Sequence, residues 1–151
     1  MIKILFVCHG NICRSPMAEF IMKNIVKNHR MENSFEIASA ATSSEELGNP
    51  VYPPARRKLM ENGISCDGKT ARKMTVNDYH YYDMIILMDY NNIKNAKRII
   101  GNDTEQKLQM LMDYTEKGGT VSDPWYTRDF DRAYNDILEG CQGLFDTLVN
   151  K

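Results

Sequence analysis

Cys8, Arg14 and Asp123 are the side chains of this 151-residue chain whose types and settings point to a reaction. The first two lie in Val7–Pro16, VCHGNICRSP, which crowds two thiols, a guanidinium and a hydroxyl into one short stretch. A loop between packed elements, with Cys8 buried and Arg14 solvated, is one reading of it. The other is an anion cradle with a nucleophile at its base. Backbone N–H groups between Cys8 and Ser15 can converge on one point, helped by the positive end of a following helix and by the backbone freedom of Gly10. Arg14 supplies a planar fork that matches two phosphate oxygens, as a lysine ammonium does not. Such donors would hold Cys8 as a thiolate at neutral pH. A thiolate beneath a cradled phosphoryl group is placed for in-line attack, giving a cysteinyl-phosphate intermediate, and Ser15 would donate its hydroxyl to the sulfur as it leaves. Asp123 stands in SDPWY, Ser122–Tyr126, held in a turn by the proline after it. It would serve as general acid for the leaving group and then as general base for water. Trp125 and Tyr126 would wall an aromatic substrate ring.

These residues need a scaffold, and the apolar pattern supplies one. Ile2–Val7 is a short apolar strand, and after the Cys8–Ser15 turn a helical pattern opens with Pro16 at its first position and Met17, Phe20, Ile21 and Ile25 on one face. A second strand fits Phe35–Ser39, and a helix fits Pro54–Asn62, closed by Gly63. Asp83–Met88 is apolar on both faces, as a central parallel strand requires. A polar helix covers Asn91–Ile99, a fourth strand fits Lys107–Met112, and Phe130–Leu148 carries the apolar stripe of a long final helix. Alternating strands and helices imply one α/β domain over residues 1–151, a three-layer sandwich with a four-stranded parallel sheet flanked by helices. Ligands of such sheets bind at the carboxyl ends of the strands, which is where Cys8 falls.

Composition narrows the partners. Nineteen basic against 20 acidic side chains leave a net charge of −1, so no global field draws the chain to nucleic acid or membrane. Cysteines at 8, 13, 66 and 141 fit neither a secreted disulfide scaffold nor paired zinc hooks, and the opening apolar run is too short for a signal sequence or a span. A cytoplasmic protein with free thiols and no cofactor or metal is expected. His29 and His80 have no partners at metal-ligand spacing, and Tyr79, Tyr81 and Tyr82 read as packing at a helix end.

Cys8-His9-Gly10-Asn11-Ile12-Cys13-Arg14-Ser15 is a C-x5-R-S loop that resembles that of the low-molecular-weight protein tyrosine phosphatases. SPMAEF after the arginine, SAAT at Ser39–Thr42, DMIILMDYNN at Asp83–Asn92 and the DPWY turn are similar to that family's segments, in the family's order. The resemblance implies the phosphatase fold and hydrolysis of phosphotyrosine to inorganic phosphate, with a phosphotyrosine protein as partner, a tyrosine kinase among the candidates. It also implies that Cys8 is nucleophile, Arg14 phosphate binder and Asp123 acid, and that Asn11 holds a strained loop backbone with Ser39 bonded to it. Cys13 resembles the second loop cysteine that in relatives bonds reversibly to the nucleophile; packing is its other reading. His9, Gly10, Asn11, Ile12, Cys13, Ser15, Glu45, Trp125 and Tyr126 are then expected around the substrate, with the His9 side chain outward.

Three positions depart from the family pattern. Ser39-Ala40-Ala41 replaces Ser-Ala-Gly, Glu45 stands where many members carry an aromatic, and Lys69-Thr70-Ala71-Arg72 loses the histidine of H-x-A-R. They bear on peptide specificity and leave the chemistry intact. Arsenate reductases share the loop but need two further cysteines in one segment, arginine phosphatases carry threonine where Ile12 stands, and a mere phosphate-binding module would not need Asp123.

Overall fold

Alternation of side chains between two cores along the first strand decides the layers. In the computed structural model, which describes residues 1–150, β1 spans Ile2–Cys8 and is buried from Ile4 onward. Ile4, Phe6 and Cys8 pack into one core cluster while Leu5 and Val7 enter another, because successive strand residues face opposite sides of a sheet. β1 pairs in parallel with β2 (Phe35–Ala41) on one edge and β3 (Met84–Leu87) on the other, and β4 (Leu108–Met110) adds beyond β3. The order β2-β1-β3-β4 reverses direction across β1 and β3, which opens a crevice at their carboxyl ends. The expected four-stranded parallel sheet flanked by helices is thus the observed one.

Helices α1 (Arg14–Asn28), α2 (Pro53–Glu61) and α6 (Phe130–Val149) share the Ile4/Phe6 core, through residues such as Ile21, Leu59, Ile137 and Phe145. Helices α3 (Val76–Tyr81) and α4 (Tyr90–Ile100) cover the Leu5/Val7 face with Tyr79 and Ala96. A four-residue α5 (Pro124–Thr127) stands at the crevice. Among the described residues, no helix is long and apolar enough to cross a membrane.

Several boundaries differ from the pattern-based expectation. The first helix begins at Arg14, two residues before Pro16, so Arg14 and Ser15 belong to its first turn, where the missing proline N–H costs nothing. β2 runs on to Ala41, since the Ser39–Ala41 segment keeps pairing with β1 up to Cys8. The fourth strand ends at Met110, and Leu111–Tyr114 turns into a 3₁₀ helix beneath α6. Short α3 and α5 have too few residues to show a period; each starts on a capping side chain, Thr75 and Asp123.

α6 crosses that 3₁₀ turn at close range. A Cβ at Gly143 would lie 1.9 Å from the Tyr114 carbonyl oxygen, and one at Gly140 2.5 Å from Leu111 Cγ. Helix propensity alone favours alanine over glycine by about 1 kcal/mol. At position 143 the collision is with backbone and overrides that gain, so Gly143→Ala is expected to lower unfolding free energy by roughly 1–3 kcal/mol. Urea denaturation measures it, and a stabilised variant would show that α6 does not pack this closely.

Candidate active site

The crevice is built on the loop between β1 and α1. Residues at the end of β2 hold its outer flank, as the Thr42 amide donates to the Cys8 carbonyl at 2.9 Å and the Ser43 amide and hydroxyl both reach the His9 carbonyl. None of the amides of His9–Cys13 finds a protein acceptor among the described residues, and the α1 amino terminus begins behind them. Free amides with a helix dipole at their back form an anion site. The freedom expected of Gly10 is not what closes the ring. Gly10 keeps an ordinary φ, and the left-handed residue is Asn11 at φ 60°. That conformation costs a side-chain-bearing residue about 1–2 kcal/mol. Hydrogen bonds offset it: Asn11 Nδ2 donates to Ser15 Oγ at 2.7 Å and Ser39 Oγ at 3.0 Å, while Oδ1 accepts the Arg72 amide at 3.2 Å. Ser15 in turn stands against the thiol, its Oγ 3.0 Å and its amide 3.4 Å from Cys8 Sγ.

Arg14 is 2% exposed and reaches across the crevice to the β3 side. Nη1 donates to Asp89 Oδ2 at 2.6 Å and to the Val121 carbonyl at 2.9 Å, whereas Nη2 lies 3.4 Å from Asp123 Oδ2. Burial works against the charge, and Cys8, Asp89 and Asp123 together more than reverse it, so the guanidinium is held above its ordinary value. Asp89 caps α4 through its other oxygen, accepting the Asn92 amide, and Asp123 caps α5 by accepting from the Trp125 amide. Each carboxylate therefore divides its oxygens between a helix amino terminus and Arg14.

The cleft above this floor spans ≈ 550 Å³ with its solvent-open mouth included. Cys8, Ile12, Cys13 and Arg14 line its base. His9, Glu45 and Glu46 form one side of the mouth and Asp123, Trp125 and Tyr126 the other. His9 turns outward and meets Glu45, Nε2 to Oε2, at 3.0 Å. Tyr52 props the aromatic side, with its ring 4.8 Å from that of Trp125 and its hydroxyl accepting from Arg128. No group of three or more His, Cys, Asp or Glu among the described residues is placed to hold a metal ion.

A family model described as low molecular weight phosphotyrosine protein phosphatase matches residues 3–151. The chain belongs to this family. It is 36% identical over 150 residues to the low molecular weight protein-tyrosine-phosphatase YfkJ of Bacillus subtilis, covering 98% of this chain and 96% of that one. The chicken low molecular weight phosphotyrosine protein phosphatase is 34% identical, covering 95% and 93%. The crystal structure of YfkJ superposes with a TM-score of 0.96 over 99% of this chain and 96% of that one. That of the Streptococcus pyogenes enzyme, 40% identical, gives 0.87 over 98% and 93%.

Against the phosphatase pattern, the structure brings Cys8, Arg14 and Asp123 to one cleft and puts His9, Gly10, Ile12, Cys13, Glu45, Trp125 and Tyr126 on its walls. Asn11 and Ser15 lie behind the loop, 1% and 0% exposed, with Ser39 beyond them. Asp89, Glu46 and Glu19 went unnoticed in the sequence. A carboxylate directly after a buried parallel strand was the available sign for Asp89; Glu19 looked like an ordinary polar residue of a helix. Cys66 and Cys141 are buried and line no part of the cleft.

Cys13 is 5% exposed on the cleft floor. Burial, followed by the nearby Cys8 and Asp123, pushes its thiol from an ordinary 9.0 up to about 12 against the pull of Arg14 and Arg128. In the unfolded chain the thiol ionises at the lower value, so its contribution to stability is whole below pH 9 and is lost as pH rises to about 12. The urea midpoint is expected to fall through that window, and less steeply in Cys13→Ala. Equal slopes for the two proteins would exclude Cys13 from the linkage.

Proposed function

We propose that the protein dephosphorylates phosphotyrosine in phosphoproteins by two transfers through Cys8. The observation that carries this reading is the buried Arg14 fork, braced on one nitrogen by Asp89 and Val121 and facing the cleft beside Cys8 and Asp123 with the other. The free amides of the loop and Arg14 bind the phosphoryl oxygens. Cys8 Sγ attacks phosphorus, the bond from phosphorus to the tyrosine oxygen breaks, and Asp123 gives its proton to the departing phenolate. Water then attacks the phosphocysteine, Asp123 takes the water's proton, and the sulfur leaves as a thiolate that accepts the Ser15 hydroxyl. Inorganic phosphate is the product.

The long 3.4 Å contact suits this role for Asp123, because a substrate dianion competes for Nη2 and frees the carboxyl to carry a proton. Trp125 and Tyr126 pack the tyrosine ring. Redox relay as in an arsenate reductase has no support, as Cys66 and Cys141 lie outside the cleft. Ile12 on the cleft floor, in place of threonine, favours phosphotyrosine over phosphoarginine. A tyrosine kinase is a natural partner for this chemistry, and four free cysteines fit a cytoplasmic setting.

Cys8→Ser keeps the amides and Arg14, so it is expected to bind inorganic phosphate in calorimetry and to turn over no aryl phosphate. Steady hydrolysis by that variant would end the mechanism. Asp123 matters in proportion to how badly the leaving group needs a proton. In single-turnover kinetics, Asp123→Ala should slow transfer from a tyrosine-like ester by roughly 10²–10⁴-fold and from an activated aryl ester far less. Equal slowing of both esters would make Asp123 a brace for Arg14 and not the acid.

A further inference from the structure

Arg128 closes α5 in the left-handed conformation, at φ 60°, where a residue with a side chain is strained and glycine is not. A strained residue that persists is held by its surroundings. Here the guanidinium lies against two aromatic rings, 5.5 Å from the centre of Tyr52 and 5.9 Å from that of Phe130, and Nη2 donates to the Tyr52 hydroxyl at 3.0 Å. Neither the C-x5-R-S loop nor the reaction above uses this pair.

Tyr52 precedes α2, and its amide donates to the Ile12 carbonyl at 2.8 Å, which ties its backbone to the phosphate-binding loop. Its ring lies 4.8 Å from that of Trp125. One residue therefore joins the loop that holds the phosphoryl group to the helix that carries Asp123.

The need for such a join follows from how Asp123 is held. On the amino side the chain is pinned at Val121, whose amide donates to the Met88 carbonyl at 2.9 Å and whose carbonyl accepts from Arg14. The bond from the Trp125 amide to Asp123 stays inside α5 and moves with it. The 3.4 Å contact with Arg14 is given up when a substrate dianion takes Nη2. On the carboxyl side the next fixed point is Phe130, packed on the core at the start of α6. Between these points a helix of four residues has no stability of its own. Its contact with Tyr52 is what relates it to the phosphate-binding loop.

We propose that Arg128 is a positioning residue for the general acid: by gripping Tyr52 it fixes α5 against the phosphate-binding loop and keeps Asp123 within reach of the leaving oxygen. The assignment rests on Asp123 being the acid. As the bond from phosphorus to the phenolic oxygen breaks, the Asp123 proton passes to that oxygen, and the transfer needs a separation of roughly 2.6–3.2 Å. A swing of about 1 Å removes the acid. Phosphate binding, which uses the loop amides and Arg14, is not served.

Arg128→Gly, Tyr52→Phe and the double variant are compared with wild type in single-turnover reactions of a tyrosine-like and an activated aryl phosphate, with inorganic phosphate as competing inhibitor. Glycine takes φ 60° without strain, so Arg128→Gly should fold and report the lost grip. It should slow the tyrosine-like ester about tenfold, the worth of one charge-assisted hydrogen bond, and leave the activated ester and phosphate inhibition within about twofold. Tyr52→Phe keeps the ring and loses the acceptor; it should slow the tyrosine-like ester about threefold and add nothing to Arg128→Gly, which keeps the test open if the glycine variant does not fold. The Arg128 charge also reaches the cleft floor, where it draws the Cys13 thiol down, and a role through that charge would slow both esters alike. Equal slowing of the two esters, wild-type transfer from the tyrosine-like ester, or effects of the two substitutions that multiply, each overturns the proposal while Asp123→Ala still separates the esters. If Asp123→Ala slows both equally, the acid assignment falls, and this one with it.

Discussion

An arginine with 2% of its surface exposed is the constraint on which the crevice depends. Taking such a group out of water costs several kcal/mol unless its protons are satisfied and its charge answered. Arg14 is answered by two chain segments distant from it in sequence: the α4 cap after β3 through Asp89, and the approach to α5 through the Val121 carbonyl and the Asp123 carboxylate. The parallel sheet makes this meeting possible. Its order turns back between β1 and β3, so the loop after one strand and the cap after the other face each other with no element between.

The two acids are held by the same device and with different firmness. Each caps a helix with one oxygen, which fixes its carboxyl plane, and offers the other to Arg14. At 2.6 Å Asp89 is a permanent counter-ion, and its α4 is an 11-residue helix with a reciprocal cap from Asn92. At 3.4 Å Asp123 is only loosely engaged, on a helix of four residues whose aromatic side chains stand in solvent. Charge balance alone does not separate them. What separates them in the mechanism proposed above is that a carboxyl assigned to gain and lose a proton cannot also be locked into an ion pair.

The sheet and its flanking helices were legible because α1 and α6 carry apolar patterns long enough to show a period, and the short apolar runs Ile2–Val7 and Asp83–Met88 read as buried strands with no tertiary knowledge. Cys8, Arg14 and Asp123 were legible because chemistry restricts residue type at each position. α3 and α5 were not, since six and four residues hold less than two turns and their existence depends on a cap and on what lies underneath. Gly10 drew attention as the flexible residue of the loop, yet the left-handed turn fell to Asn11, whose side chain can be bonded in place where glycine has none. Glu19 stayed hidden for a related reason. An acidic residue on an amphipathic helix is ordinary until a serine from a neighbouring strand is found beside it.

Asn11, Arg14, Ser15, Glu19 and Ser39 are each at most 5% exposed, so the floor of the cleft is a polar core inside an apolar one. In such a setting every bond is stronger than in water and every orphaned group is expensive, which leaves the network one arrangement. The rim obeys the opposite rule. Trp125 is 43% and Tyr126 80% exposed, and Glu45 meets His9 in solvent, where an ion pair is worth little. Rim residues are therefore free to change with the phosphoprotein to be recognised. A floor residue can change only together with its partners, as Lys69, which lies 3.5 Å from the buried Glu19 carboxylate and donates to the Ser39 carbonyl, ties two of them at once.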